Sequence, residues 1–411
     1  MSCSYYLFED QKVENFLPLV WLHPFVELRL GISTIFDKWV LSLGFVNGLY
    51  VRSFLKEYTS LIFPKIQINS VSTSKKIIFL NARLNPYHDS IKEIVKVPLG
   101  GGFLDKEGNV LSFCLSFKEG DKLSADFNEL LSGVKAWNRF EGVELISGLQ
   151  DLIGLNGRFI IDDFTKLYPD YSVRIPQDIR IIGDTVVIHD DADISPYVVI
   201  DATQGPVVVD KNAKVCPFVY IQGPAFVGEG SIVKPFAKIL ENSVIGPVCK
   251  IGGEVEASII QSYSNKQHDG FLGHSFVGSW VNLGADTVTS DLKNNYSNIR
   301  LKYCQKEWDS DSMFIGTFFG DHVKTGINTM LNSGTIIGVF TNVFGEGFPP
   351  KFIPSFMWGG HEGKNVYEVE RALETAERMM ARRNVALQDQ YRSLIFKVFE
   401  LSEVERKCFS E

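Results

Sequence analysis

An aliphatic residue recurs at every sixth position through the middle of this 411-residue chain. The period is too long for the alternation of a strand and too regular for a helix, and it is typical of hexapeptide repeats. Three six-residue edges then form one triangular coil, and every sixth side chain points into a stacked core. We therefore expect a left-handed parallel β-helix. Its predicted inward positions are Ile182, Ile188, Ile194, Ile200, Val209, Val215, Ile221, Val227, Val233, Ile239, Ile245 and Ile251, then Phe319, Thr325, Leu331, Ile337 and Val343.

Glycine follows several of the inward positions, as Gly228 follows Val227 and Gly246 follows Ile245. The interpretation is that the chain bends sharply at each corner of the prism, where glycine is favoured. Prisms of this kind serve both acyl transfer from a coenzyme thioester and structural spacing. The period therefore predicts architecture and leaves the function open.

Composition excludes some classes of partner. The chain has 41 Lys and Arg against 49 Asp and Glu, so its net charge of -8 offers no basic excess for nucleic acid or an anionic membrane. Six cysteines are scattered without a CxxC pair, and no apolar segment with a charged leader opens the chain. No apolar run approaches the roughly 20 residues of a membrane span. We expect a reduced, cytoplasmic protein that acts on small molecules.

The chain divides into three predicted regions. Residues 1–172 lack the six-residue period and mix a strand at Lys76–Leu80 with a helix-like stretch at Phe127–Phe140, which indicates an α/β domain. Residues 173–350 form the prism. Gly100–Gly102 is interpreted as a tight turn between strands, with a phosphate-cradling loop as the alternative. The period lapses between about 288 and 318, where we expect a loop or arm.

Residues 351–411 form the third region, a helical cap. Apolar residues recur there at helical spacing, and a second helix is predicted over Leu387–Leu401. Helices in this place would seal the open end of the prism. Three arginines are interpreted as a solvated helix face, with an anion site as the alternative. The apolar positions are Val366, Val369, Leu373, Ala376 and Met380, and the arginines are Arg378, Arg382 and Arg383.

The segment 265–287 reads NKQHDGFLGHSFVGSWVNLGADT. It resembles, without a gap, the acetyltransferase domain of the bacterial bifunctional N-acetylglucosamine-1-phosphate uridyltransferase/glucosamine-1-phosphate acetyltransferase family. The resemblance implies that His268 is the general base, that Asn282 binds substrate, and that Ala285 and Gly326 border acetyl-CoA or another acyl-CoA. Imidazole suits this task because its ordinary pKa lies near 6.5. The alternative is a surface or structural histidine on a retained scaffold, and His274, His322 and Lys324 are interpreted as structural.

Four residues depart from that family. Phe271 stands where the family has a Tyr, Asp291 and Leu292 replace an Asn-Tyr pair, and Ile327 replaces a Ser near the acetyl group. A phenyl ring does not bind a phosphate oxygen, and a carboxylate repels phosphate. The departures therefore predict that glucosamine-1-phosphate is a poor acceptor.

The N-terminal region carries a second resemblance. The stretches Leu17–Leu19 and Glu27–Ile35, followed by Lys38-Trp39, are similar to the start of a family of presumed sugar nucleotidyltransferases in which this domain precedes a hexapeptide prism. The resemblance implies that Arg29 and Lys38 bind the phosphates of a sugar phosphate or nucleotide-sugar, with Arg83 behind them. The alternative is that all three are salt-bridged structural residues.

The N-terminal region also departs from active nucleotidyltransferases. They cradle the nucleotide phosphates in a glycine-rich loop, and this chain has no glycine before Gly31. His23 stands where the family tends to keep an Arg, and it is a weaker cation at neutral pH.

Two hypotheses follow. The first is a nucleotide-sugar enzyme with a sugar-1-phosphate nucleotidyltransferase-like domain and an acyltransferase-like prism. The second is a catalytically degenerate nucleotide-sugar-binding protein or trimeric scaffold. Both predict a homotrimer, because related prisms pack side by side around a cyclic axis. Asp162-Asp163 is interpreted as a boundary turn, with Mg²⁺ binding through the carboxylates as the alternative.

Overall fold

The structure is a computed structural model that describes residues 4–71, 75–118, 121, 123–124, 126–172, 175–360 and 365–410. The expected fold class is confirmed: an α/β N-terminal part precedes a left-handed parallel β-helix and C-terminal helices. The predicted domain boundary at 172/173 falls beside residues 173–174, which lie outside the described residues, and it stays a prediction.

Seven strands build the N-terminal sheet, in which β1 lies between β2 and β4 and is parallel to both. The strands are β1 Ser4–Phe8, β2 Gly48–Tyr50, β3 Gln67–Ile68, β4 Lys75–Asn81, β5 Gly101–Leu104, β6 Val110–Phe117 and β7 Ala136–Arg139. Their order is β3-β2-β1-β4-β6-β5-β7. The α-helices of this part are α1 Ile35–Leu43, α2 Lys56–Ile62, α3 Ile91–Ile94, α4 Phe127–Leu131 and α5 Leu149–Leu167. Three short 3-10 helices cover Gln11–Phe16, Phe25–Glu27 and Ser53–Leu55.

Two local expectations for this sheet need comment. The strand predicted at Lys76–Leu80 is confirmed as part of β4, whose apolar residues are buried on both faces as in a central strand. The helix predicted over Phe127–Phe140 is wrong beyond Leu131, because the chain turns there and enters β7, which pairs with β5. Gly100 forms a turn, with a φ of 76°. Gly102 instead lies within β5, where glycine is required because a Cβ would lie 2.3 Å from the Trp137 ring.

The prism has three faces of parallel two- or three-residue strands. The first face contains Asp193–Ile194, Lys214–Val215, Ile232–Val233, Lys250–Ile251, Asn265–Lys266, Lys324–Thr325, Asn342–Val343 and Met357–Trp358. The second contains Arg180–Ile182, Val199–Asp201, Tyr220–Gln222, Lys238–Ile239, Glu254–Glu256, Phe271–Gly273, Val288–Thr289 and Met330–Leu331. The third contains Val186–Ile188, Val207–Val209, Ala225–Val227, Ser243–Ile245, Ile259–Ile260, Phe276–Val277, Thr317–Phe319, Thr335–Ile337 and Phe352–Ile353.

Strand register shows which side chains stack inside the prism. Val209 pairs with Val227, and Val227 with Ile245, in the predicted order. The first predicted position is wrong, because Ile200 pairs with Ile181 and leaves Ile182 37% exposed. The glycines that follow inward positions were expected to allow a sharp bend at each corner, but the structure gives another reason for them. A Cβ on Gly228 would lie 2.8 Å from the backbone of Gly246 on the next coil, so close stacking of coils requires it.

The N-terminal part and a hairpin extruded from the prism pack against the third face. Outward-facing Val208, Phe226 and Val244 on the third face belong to the same buried cluster as the core of the N-terminal sheet. The stretch between about 288 and 318 contains an antiparallel hairpin, Arg300–Tyr303 with Lys306–Asp309, and Lys306 Nζ donates to Asn15 Oδ1 at 3.0 Å. The third face is therefore covered, and the corner between the first and second faces lies opposite it.

The C-terminal helices are α6 Val369–Ala381, α7 Asp389–Leu401 and α8 Glu403–Ser410. The helix α7 packs against α6 and α2 and reaches the prism through Tyr391, whose hydroxyl lies 3.0 Å from His322 Nε2. A short strand, Asn365–Val366, pairs with Met357–Trp358 before α6. Within the described part of the chain, every helix is too short or too polar to cross a membrane.

Candidate functional site

The corner between the first and second faces, hereafter the first corner, collects three of the predicted site residues. Each coil crosses it once, at His268-Asp269, at Ala285-Asp286 and at Gly326–Asn328. Backbone hydrogen bonds stack these crossings, from Asp286 N–H to Asp269 O at 3.1 Å and from Asn328 N–H to Ala285 O at 2.8 Å. The structure therefore brings His268, Ala285 and Gly326 onto three successive coils of one edge.

His268 is exposed at this corner, and a lysine beneath it holds its backbone. Lys266 occupies the inward position that aligns with Ile251, so its side chain lies inside the prism. Its Nζ donates to the carbonyls of Gly252 at 2.9 Å and His268 at 3.1 Å. Burial lowers the pKa of Lys266 to about 8. A buried amine thus fixes the corner that presents the imidazole, a contact that the hexapeptide pattern did not predict.

Asn282 lies on the first face, one strand position before the corner. It bridges Asn265 on one neighbouring coil and Lys324 on the other. It is half-buried and borders a cleft between the first face and α6. Asn282 therefore lies on the same coil as Ala285, three residues before it.

Of the departures from the acetyltransferase family, Ile327 lies at the first corner, Phe271 begins a strand of the second face, and Asp291 follows the strand Val288–Thr289 at the far end of that face. Asp291 Oδ2 lies 2.8 Å from His274 Nδ1, and the His274 ring stacks on Phe314. The Phe271 ring and the Asp291 carboxylate both approach the backbone of Gly273 on the second face. The surroundings of Gly273 therefore contain the phenyl ring of Phe271 and the carboxylate of Asp291, which is already bound to His274. This environment does not attract phosphate.

Arg29 and Lys38 lie elsewhere, between the N-terminal part and the third face. Lys38 is fully buried, and its Nζ donates to Asp163 Oδ2 at 2.6 Å and to Ser33 Oγ at 2.9 Å. The backbone N–H of Arg29 donates to Gln261 Oε1 of the prism at 3.0 Å, and its guanidinium bonds the Ile32 carbonyl. The structure does not place either cation at the first corner, and their role as phosphate ligands stays a prediction.

The carboxylates considered for Mg²⁺ do not fit a metal ion. Both oxygens of Asp163 are engaged, Oδ2 by Lys38 and Oδ1 by the Tyr87 hydroxyl at 2.7 Å. Over the described ranges, no group of three or more His, Cys, Asp or Glu side chains is arranged to hold a metal ion. The boundary turn predicted at Asp162-Asp163 is wrong, because both residues lie within α5.

Cations at the carboxyl ends of the parallel strands are already paired, although ligands of open α/β sheets bind at this edge. Arg52 follows β2, and its Nε lies 3.0 Å from Glu9 Oε2. Arg83 follows β4, and its Nη2 lies 2.6 Å from Asp10 Oδ2. The edge at which ligands of such sheets bind therefore carries ion pairs formed within this chain.

His23 is buried at the junction of the N-terminal part and the prism. Its Nδ1 lies 2.8 Å from Glu27 Oε2, and its Nε2 lies 2.5 Å from Asp321 Oδ2. Burial by itself lowers the pKa of His23, but the two carboxylates raise it well above the ordinary value. His23 is therefore a cation at neutral pH, and it serves the contact between the two parts.

The cleft that Asn282 borders was not predicted. It has a volume of about 390 Å³ and lies between the first face of the prism and α6. The three arginines interpreted as a solvated face line it together with two lysines of the first face. The lining residues with a positive charge are Lys250, Lys324, Arg378, Arg382 and Arg383. Sequence spacing did not reveal this set, because its members lie on two separate coils of the prism, within α6 and just beyond the end of α6.

Comparison with known proteins confirms the two resemblances. Residues 5–170 match the family described as "Sugar nucleotidyl transferase". A relative from Sulfurisphaera tokodaii, "Bifunctional sugar-1-phosphate nucleotidylyltransferase/acetyltransferase", is 29% identical over 147 residues, which cover 34% of this chain and 36% of the relative. "Bifunctional protein GlmU" of Jannaschia sp. is 32% identical over 170 residues, covering 40% of this chain and 35% of the relative. The chain thus matches about a third of the length of these curated relatives.

The matching solved structures include an Arabidopsis "UDP-N-acetylglucosamine acyltransferase". It is 15% identical, covers 56% of this chain and 95% of that chain, and has a TM-score of 0.22. The fold assignment rests on the strand pairing described above.

Proposed function

We propose that this protein acts in nucleotide-sugar metabolism in the cytoplasm, and that its prism transfers an acyl group from acetyl-CoA or another acyl-CoA. The acceptor is an amine or hydroxyl of a sugar phosphate or nucleotide-sugar. The observation that carries the proposal is the stacking of His268, Ala285 and Gly326 on one exposed corner, supported by the family resemblance of each half.

The coenzyme supplies the acyl group as a thioester. His268 accepts the proton of the acceptor amine or hydroxyl while the acceptor forms a bond to the acyl carbon. Cleavage of the C–S bond would release the coenzyme as a thiolate, to which His268 would return the proton that it took from the acceptor. Lys266 holds the His268 backbone from inside the prism, so the imidazole is presented from a fixed corner. Asn282, with its amide on the neighbouring face, orients the acceptor.

A second candidate function concerns the N-terminal part alone. Nucleotidyl transfer needs cations free to neutralise a triphosphate. Arg52 and Arg83 are instead bound to Glu9 and Asp10, and no glycine loop precedes Gly31. These ion pairs favour a domain that has kept the nucleotidyltransferase fold and binds a nucleotide-sugar or stabilises the prism.

A homotrimer is part of the proposal. Tyr197, Phe218 and Phe236 lie on the first corner of earlier coils and stack with centroids 5.2 and 5.1 Å apart. All three rings are more than half exposed. An exposed aromatic ladder in line with His268 supports packing of a neighbouring prism along this edge. Sedimentation equilibrium should give three times the monomer mass, and a monomer at micromolar concentration would contradict the trimer.

The test of acyl transfer measures release of coenzyme A with amino sugars and nucleotide-linked amino sugars as acceptors. His268→Ala should lower turnover by about 10²- to 10⁴-fold, the usual contribution of a positioned general base, and leave acyl-CoA binding intact. His189→Ala is the matched control, because His189 is exposed on an early coil away from the stacked site. If the unmodified protein neither binds acyl-CoA nor releases coenzyme A with any acceptor, the binding or scaffold function replaces this proposal.

A further inference from the structure

The cleft between the first face and α6 concentrates positive charge in a concave site. Lys250, Lys324 and Arg383 form its inner wall and are half-buried, whereas Arg378 and Arg382 lie exposed at its rim. Amide side chains of Asn265, Gln267 and Asn282 lie between them. The lining contains no carboxylate.

The inner cations bond neutral groups. Arg383 Nη2 donates to Asn265 Oδ1 at 2.7 Å, and Lys324 Nζ donates to the His322 carbonyl at 3.0 Å. Burial lowers the pKa of Lys324 to about 8, and burial together with Arg383 lowers that of Lys250. None of the three inner cations has a carboxylate partner among the residues that the structure describes. Their charge is therefore available to a ligand.

The rim is partly neutralised. Arg378 Nη2 lies 3.2 Å from Glu374 Oε2, one turn earlier on α6. Arg382 has no such partner among the described residues and faces the cleft from the last turn of the helix. The site thus keeps an excess of at least four positive charges, a number that one carboxylate or phosphate monoester does not balance.

We propose that this cleft binds the diphosphate group of a substrate. A diphosphate carries several acceptor oxygens and two or three negative charges, so it can pair with several of these guanidinium and ammonium groups at once. The volume of about 390 Å³ falls within the ordinary range of small-molecule sites, roughly 300–1,000 Å³. Asn282 lines the cleft and pairs with Asn265, which precedes His268 on the neighbouring coil. A ligand held in the cleft by its diphosphate therefore reaches the proposed reaction site.

The choice of ligand rests on the proposed function. Nucleotide-sugars and coenzyme A share the diphosphate group, so the chemistry of the cleft fits either source. The positive charge of the cleft itself does not depend on whether acyl transfer occurs.

The experiment is calorimetric titration of the full chain with inorganic pyrophosphate at low ionic strength. Arg383→Gln and Arg382→Gln should each weaken binding by about 10-fold, the loss expected for one charge-assisted contact. Arg371→Gln is the matched control, because Arg371 lies on the same helix, pairs with Glu368 at 2.9 Å and is outside the cleft. Binding to the unmodified chain should also weaken as salt is added. Melting curves establish that the variants are folded.

Titration with UDP, coenzyme A and pantetheine distinguishes the sources. If Arg383→Gln loses affinity for UDP alone, the cleft is assigned to nucleotide-sugars. If it loses affinity for coenzyme A alone, the cleft is assigned to the coenzyme. Pantetheine, which has no diphosphate, should bind equally to both proteins. Absence of pyrophosphate binding at millimolar concentration, or equal affinity in the cleft variants and Arg371→Gln, would overturn the inference. Pyrophosphate binding without acyl transfer would refute only the proposed function.

Discussion

Replacing Lys38 by Met tests whether this residue is structural or a phosphate ligand. Lys38 and Asp163 are both fully buried, with 2.6 Å between Nζ and Oδ2. Methionine keeps most of the lysine stem but leaves the carboxylate without its partner. Removing one member of a buried ion pair costs about 3–5 kcal/mol, because the remaining charge stays out of water. Ser33 and Tyr87 continue to donate to Asp163, so we expect the lower part of this range.

The assay is thermal and urea unfolding of the full chain. If the 411 residues unfold as one unit, an unfolding entropy of roughly 2 cal/mol/K per residue converts this loss to a melting temperature lower by about 3–6 °C. Lys38→Met/Asp163→Asn should recover part of the loss, because asparagine keeps the acceptor without the charge. Lys56→Met on the exposed face of α2 is the control and should melt like the unmodified protein.

Nucleotide-sugar binding should stay unchanged in Lys38→Met, because Nζ has no contact with solvent. A normal melting temperature of Lys38→Met, together with weaker binding of a sugar phosphate or nucleotide-sugar, would contradict the structural role. Lys38 would then be the ligand that the resemblance implies.

Two further predictions concern the prism and its junction. Ile221→Asp should unfold the prism, at a cost above roughly 4 kcal/mol, because it places a charge in the aliphatic stack. Glu229→Ala, at an outward position, should leave the prism folded. An unchanged melting temperature for Ile221→Asp would contradict the register. Because the pKa of His23 is raised in the folded protein, His23 stabilises the folded state fully below about pH 6.5. This stabilisation is lost as the pH rises through the pKa that His23 has in the folded state. Burial lowers the pKa of His322 well below 6.5, so its contribution is present above pH 6.5 and lost as pH falls. Melting temperature should therefore peak near pH 6.5, and His23→Gln should flatten the alkaline side; an unchanged profile in that variant would show that His23 does not carry the effect.

The repeat could be predicted from the sequence because each inward position faces the same environment one coil later. Aliphatic side chains must then recur at the coil spacing. The prediction failed where coils are shortened. Val255 follows Ile251 after four residues and Ile260 follows after five more, yet both align with the inward stack. Lys266 was missed because a lysine interrupts the aliphatic pattern while its amine bonds carbonyls within the core.

The family resemblance also named His268, Ala285 and Gly326 as site residues, and the ungapped motif that contains His268 and Ala285 fixes their register on successive coils. That they stack with Gly326 on one corner was found only in the structure. The sequence did not determine which partner each charged residue meets across the fold. Lys38 and Asp163 are 125 positions apart in the sequence, and Arg383 and Asn265 are 118 apart. Local patterns report periodicity and resemblance, whereas the pairing of a cation with a carboxylate, or its exposure in a cleft, depends on how distant elements pack. Only the tertiary structure therefore decided that Lys38 is a buried ion-pair partner and that the arginines of α6 face the prism.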